Sequence, residues 1–316
     1  MNATAEALHE RIRNLPIVSP HGHTVPAWFA EDRPFADPAE LLIVPDHYVF
    51  RMLVSQGATL DELGVPRADG SVAAVDPRDV WRRFADAYYL FRGTPSALWL
   101  DHSFATVFGL EAAFGPATAD AFYDRIDAML AQDAFRPRAL FERFGIEVLA
   151  TTEGALDDLA AHRAIRDSGW RGRVVTTYRP DTVIDPDAEG FADNVARLGE
   201  VAGEDATTWP GYLAAHRARR AFFRDHGATA TDHGHPSART EDLPPDAAAR
   251  LLDGALTGRC TPEEADAFRG QMLTEMARMS LDDGLVLQIH PGAYRNHSAS
   301  VFAGYGRDKG FDVPSP

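Results

Sequence analysis

Short β-rich runs alternating with helical spans constrain the fold of this chain more than any other feature. The runs lie at residues 16–21, 146–152, 173–178, 227–231 and 285–289. The last four are separated by stretches with helical periodicity at 155–168, 188–202, 208–224, 245–254 and 261–282. Strand, helix, strand in this rhythm implies parallel strands joined by crossover helices. Polar residues gather after each run: His21 and His23, Thr152-Glu153, Arg179-Pro180-Asp181, Asp232-His233, and His290. In an eight-stranded β/α barrel such strand ends converge on one mouth; in an open sheet they spread along an edge. No Gly-rich nucleotide motif follows any run, which argues further against a dinucleotide-binding sheet.

The expected fold class is therefore α/β, a (β/α)8 barrel with about five of its eight strands present. Residues 1–24 supply an amphipathic helix near 5–14 and the first strand. Residues 25–145 hold no convincing strand. They read as an inserted helical subdomain, with helices near 38–43, 46–56, 77–92, 96–108, 117–132 and 135–144. Asp120 and Asp133 are candidate helix caps. Residues 146–316 continue the barrel.

The first run ends in His21-Gly22-His23. On a strand, positions i and i+2 point to the same side. Two imidazoles presented together are a ready pair of metal ligands. The plainer alternative is a pair of polar loop residues.

Composition removes other chemistries. The formal net charge is −16, which disfavours nucleic acid and anionic membrane. No apolar run is long enough for a membrane span, and no signal peptide is recognisable. The single cysteine, Cys260, forms no intrachain disulfide and suits a reducing, cytoplasmic setting. Lys309 is the only lysine and lies in a loop-like segment, a poor place for a Schiff base.

Five segments carry a resemblance to a known family. They are His21-Gly22-His23 with Ala30-Glu31-Asp32-Arg33-Pro34-Phe35; Asp46-His47-Tyr48-Val49-Phe50-Arg51-Met52; Tyr178-Arg179-Pro180-Asp181; Thr231-Asp232-His233-Gly234; and Gln288-Ile289-His290-Pro291-Gly292-Ala293-Tyr294-Arg295-Asn296 with Gly310-Phe311-Asp312. In this order they resemble the uronate (glucuronate) isomerases of the amidohydrolase superfamily. The resemblance implies aldose–ketose isomerisation of a hexuronate: D-glucuronate to D-fructuronate, or D-galacturonate to D-tagaturonate. It implies a divalent metal, zinc first, on His21 and His23. It implies catalytic roles for Tyr48, Asp232 and His290, and a grip on the substrate carboxylate by Arg179. A small-molecule partner and a homo-oligomer are expected, with no nucleic acid or membrane. His47, His233, His235 and His297 read as structural or solvent-exposed.

The family's third protein ligand, an aspartate on its last strand, has no counterpart here. The chain is thus expected to be a fragment with two open strand edges and little turnover alone. Two other readings stand beside the isomerase: a metal-dependent hydrolase of the same superfamily, and an inactive or sugar-acid-binding remnant.

Overall fold

The computed structural model describes residues 2–315. It divides into two compact units, one formed by the chain up to Glu31 with Phe141–Gly292, the other by Asp32–Leu140 and the chain from Ala293 onward.

The first unit is built on parallel strands. β1 (Ile17–Ser19) pairs with β2 (Ile146–Ala150). A short extension of the same strand position, β3 (Glu153–Gly154), follows β2, and β4 (Arg173–Val175) pairs with β2. β5 (Tyr178–Arg179), β6 (Ala230–His233) and β7 (Val286–Ile289) complete a second sheet in the order β3-β5-β6-β7. The ladder runs on between the sheets, for Thr151 N–H donates to Val175 O at 2.8 Å and Glu153 N–H to Thr177 O at 3.1 Å. Five strand positions therefore lie side by side in chain order, without the reversal of an open doubly wound sheet. The outer strands β1 and β7 leave Ile17, Val18, Val286 and Ile289 exposed.

The second and third runs are each broken into two short strands, and two other boundaries differ from the sequence expectation for a local reason. The first stops at Ser19 rather than residue 21, because Pro20 has no N–H to donate to a ladder. The fourth spans 230–233 rather than 227–231. Residues 227 and 228 are consumed in ending the preceding helix: Gly227 takes φ +95°, and Ala228 N–H bonds back to Phe223 O. Asp232 and His233 thus lie within the strand instead of after it.

The helices of this unit begin and end on recognisable signals. In Pro262–Asp283, Thr261 and Glu264 form a reciprocal capping box with proline in the first turn, and Gly284 in the left-handed region ends the helix. Tyr178, Leu198, Tyr212, Phe223, Phe268, Met272 and Met276 bury together beneath these helices. Arg220, itself buried, binds Asp283 through Nε at 2.6 Å and Nη2 at 2.9 Å. The pair ties Trp209–Asp225 to Pro262–Asp283.

The second unit is helical. Asp37, Asp76 and Thr94 each accept first-turn N–H groups, and proline opens each helix behind them. Asp120 is not a cap: it sits one residue inside Ala119–Leu130, where it pairs with Arg82. Asp133 opens only a short 3-10 turn, Asp133–Phe135. Trp81, Phe84, Phe104, Phe114 and Phe122 form the aromatic core, and the Trp81 indole N–H donates to Ala119 O. The C-terminal residues pack in this unit. β8 (Ala293–Tyr294) pairs antiparallel with β9 (Val313–Pro314), and Val301, Tyr305 and Phe311 lie against the helical core.

Candidate active site

His21 and His23 lie just beyond β1. Their Nε2 atoms stand 3.2 Å apart, so the two rings meet although neither is in the strand. Between them Gly22 passes close to β2: a Cβ there would stand 3.2 Å from the Ala150 carbonyl. Thr152 Oγ1 donates to Gly22 O at 3.0 Å and fastens the loop to the end of β2. His21 Nδ1 is 2.8 Å from Gln288 Oε1, on β7.

Asp232 points from β6 towards the same group. It is fully buried. His290 Nε2 lies 2.7 Å from its Oδ1, His21 Nδ1 3.7 Å from that same oxygen, and Arg179 Nη1 3.5 Å from Oδ2. Of these three groups His290 is the nearest to the carboxylate. Burial pushes this carboxyl up, but His290, Arg179 and His21 outweigh it and hold the pKa below the ordinary value. Asp232 is therefore an ionised carboxylate facing two imidazoles and a guanidinium.

Arg179, at the end of β5, is held from its other side. Its Nε donates to Asp181 Oδ2 at 2.8 Å, and Asp181 Oδ1 accepts the Gly234 N–H at 3.1 Å. A Cβ on Gly234 would lie 2.8 Å from Asp181 Oδ2, 3.0 Å from Arg179 Nη2 and 3.2 Å from His290 Cε1. The absent side chain is what lets Arg179 and His290 close over this backbone.

The first unit thus brings together five of the six residues singled out in the sequence: His21, His23, Arg179, Asp232 and His290. The sixth, Tyr48, belongs to the helical unit. There Asp46 caps the helix His47–Val54 through the N–H groups of Tyr48 and Val49. Tyr48 is 57% exposed, with the Arg51 guanidinium 5.3 Å from its ring centre. Its ring is not packed in a core. Gly310, with φ +74°, lies against the His47 carbonyl, and Asp312 accepts the Asn296 N–H at 2.8 Å. These contacts give the Gly310-Phe311-Asp312 segment a structural job.

Sequence reasoning passed over Asp181, Gly234 and Gln288. Asp181 was visible beside Arg179 but had no partner to suggest a role. His233 and His235 are buried, and burial holds their pKa values down, to about 3 for His233.

The two converging nitrogens suit a borderline cation such as zinc, which takes imidazole nitrogen readily. Among the described residues no group of three or more His, Cys, Asp or Glu side chains is arranged to hold a metal ion. His21 and His23 offer a pair of imidazole nitrogens. No helix among the described residues is long and apolar enough to cross a membrane.

The chain is similar to known proteins along nearly its whole length. A glucuronate isomerase family model matches residues 1–315. Uronate isomerases of Xanthomonas euvesicatoria pv. vesicatoria and Mesorhizobium japonicum are 62% and 61% identical over 99% and 98% of the chain. The chain spans 66% of the length of each. The crystal structure of glucuronate isomerase from Caulobacter crescentus superposes with a TM-score of 0.95 at 54% identity, over 99% of this chain and 65% of that one. A uronate isomerase structure from Thermotoga maritima gives 0.91 at 26% identity, over 100% and 68%. Family model, sequence relatives and β/α architecture agree, and the chain belongs to the glucuronate isomerase family.

Proposed function

We propose that the chain carries a hexuronate site for metal-assisted aldose–ketose isomerisation, with D-glucuronate and D-fructuronate as the pair. The observation that supports this most is the convergence of the His21–His23 nitrogens, the ionised Asp232 and the braced Arg179 in one unit. A guanidinium held in place suits the uronate carboxylate, which it binds in a planar, charge-assisted, two-bond geometry.

The reaction moves a proton between adjacent carbons through an enediol, so it needs a proton carrier and a partner for developing negative charge. His290 takes up and returns the proton, and the Asp232 charge lies beside its Nε2. Arg179, oriented by Asp181, holds the far end of the substrate. Tyr48 is assigned as a hydroxyl proton donor on the resemblance of its segment. A divalent cation on His21 and His23, zinc in the first instance, would polarise the substrate C–O group as a Lewis acid. The single cysteine, Cys260, suits a cytoplasmic setting.

The test is product analysis by NMR on the zinc-supplemented chain. The expected result is D-fructuronate formed from D-glucuronate above the rate of zinc in buffer, even if slowly, and lost in His21→Ala. Hydrolysis of amide, ester or lactone substrates without isomerisation would favour the hydrolase reading. Zinc binding with neither reaction would favour a sugar-acid binding role.

A further inference from the structure

We propose that Gln288 is a positioning residue that fixes the tautomer of His21, so that His21 presents a bare Nε2 lone pair towards His23. The argument starts at Pro20. A backbone carbonyl can only accept a hydrogen bond. Gln288 Nε2 lies 3.2 Å from Pro20 O, so the amide NH2 must be the end that faces it. That assigns the amide orientation without reference to the imidazole.

The other end of the amide, Oε1, then lies 2.8 Å from His21 Nδ1. An amide oxygen also only accepts, so the proton is on Nδ1. Neutral imidazole carries one proton, and Nε2 is left with its lone pair. That lone pair faces His23 Nε2 at 3.2 Å. Asp232 Oδ1 favours the same proton position, but at 3.7 Å it is beyond hydrogen-bond reach of Nδ1. Gln288 is the group in contact.

Its place in the fold suits this task. Gln288 pairs in register with Asp232 across β6 and β7, so the backbone that positions the carboxylate also positions the amide. From β7 the side chain reaches the segment leaving β1. One residue thereby fixes both the Pro20 carbonyl and the His21 ring. An outer-sphere acceptor that holds the second nitrogen of a metal-binding histidine in this way typically changes affinity for the metal roughly 10- to 100-fold. The metal consequence rests on reading His21 and His23 as ligands; the tautomer does not.

The experiment is long-range 15N–1H correlation NMR on the full chain with labelled histidine and no metal, with His21→Asn to assign the signal. The expected spectrum shows His21 with a protonated Nδ1 and an unprotonated Nε2. Gln288→Leu should collapse that preference towards a tautomer mixture. Gln288→Glu keeps an acceptor and should retain the Nδ1 proton, which guards against a merely structural effect. A wild-type His21 protonated on Nε2, or a tautomer unmoved in Gln288→Leu, would overturn the proposal. Chelator competition with Zn²⁺ supplies the second readout. Binding weakened roughly 10- to 100-fold in Gln288→Leu supports the metal consequence. Equal affinities, or no binding to wild type, defeat it and leave the NMR result to judge the tautomer.

Discussion

Arg179 Nε donates to Asp181 Oδ2 at 2.8 Å, and the other oxygen of that carboxylate is fixed by the Gly234 N–H at 3.1 Å. The guanidinium is thus aimed by a carboxylate that is itself aimed by backbone. Asp181→Ala should loosen this aim while leaving Arg179 in place. A hydrogen bond to a charged group is worth about 1.5–3 kcal/mol, so D-glucuronate should bind about 10- to 100-fold more weakly. Isothermal titration checks this; an unchanged affinity would remove Asp181 from the account.

Gly234→Ala tests the same corner by crowding. The added methyl would lie within 3.2 Å of Asp181, Arg179 and His290 atoms, and overpacking of this kind costs about 1–3 kcal/mol. Sugar-acid affinity should fall at least several-fold. Gly115→Ala is the control, since a Cβ there meets nothing within 4 Å. Equal behaviour of the two variants in binding would contradict the assignment.

Buried neutral histidines set an acid limit on stability. Burial lowers the pKa of His162 to about 4 and of His216 to about 3, from 6.5. Above 6.5 both states are neutral and nothing is lost. As pH falls from 6.5 towards these folded values the unfolded chain takes up protons first, and stability drops by up to about 3 kcal/mol for His162 alone. Glu153, beside His162 at 3.7 Å, is raised by burial and acts in the opposite sense. Its contribution is present in acid and lost as pH rises. Denaturant unfolding from pH 7.5 to 5 should therefore show falling stability, flatter in His162→Asn and steeper in Glu153→Gln. A flat wild-type profile would show that these rings are not buried neutral.

The Arg220–Asp283 pair predicts a stability effect away from the candidate site. Asp283→Ala leaves a buried guanidinium without its carboxylate, which costs about 3–5 kcal/mol. The urea midpoint should fall sharply, while zinc affinity of the folded chain stays as in wild type. A midpoint within experimental error of wild type would mean that Ser280 and the remaining contacts suffice for Arg220.

Four of the five parallel strand positions were legible as short apolar runs set off by helices of matching period; the fourth followed from the spacing. The helices of the second unit were legible from their periodicity, but not their caps: Asp37, Asp76 and Thr94 cap with proline behind them, where Asp120 and Asp133 were expected. What periodicity missed has physical causes. The strand near 230 has alanine and threonine in place of large apolar residues, so its start was blurred into the helix end at Gly227. The packing of residues 293–315 in the helical unit rests on Tyr305, Gly310 and Asp312, isolated contacts with no repeat. His21, His23, Arg179, Asp232 and His290 were readable because they are chemically conspicuous at strand ends. Gly234 and Gln288 were not. One acts by lacking a side chain and the other by an amide that is ordinary until its two partners are known.

The most direct test of the central claim compares D-glucuronate with D-glucose by isothermal titration on the zinc-supplemented chain and on Arg179→Gln, with circular dichroism to confirm folding. The account predicts saturable binding of glucuronate, little or none of glucose, and a loss of at least tenfold for glucuronate in the variant. Equal binding of the two sugars by the wild-type chain, or undiminished glucuronate binding by Arg179→Gln, would contradict it.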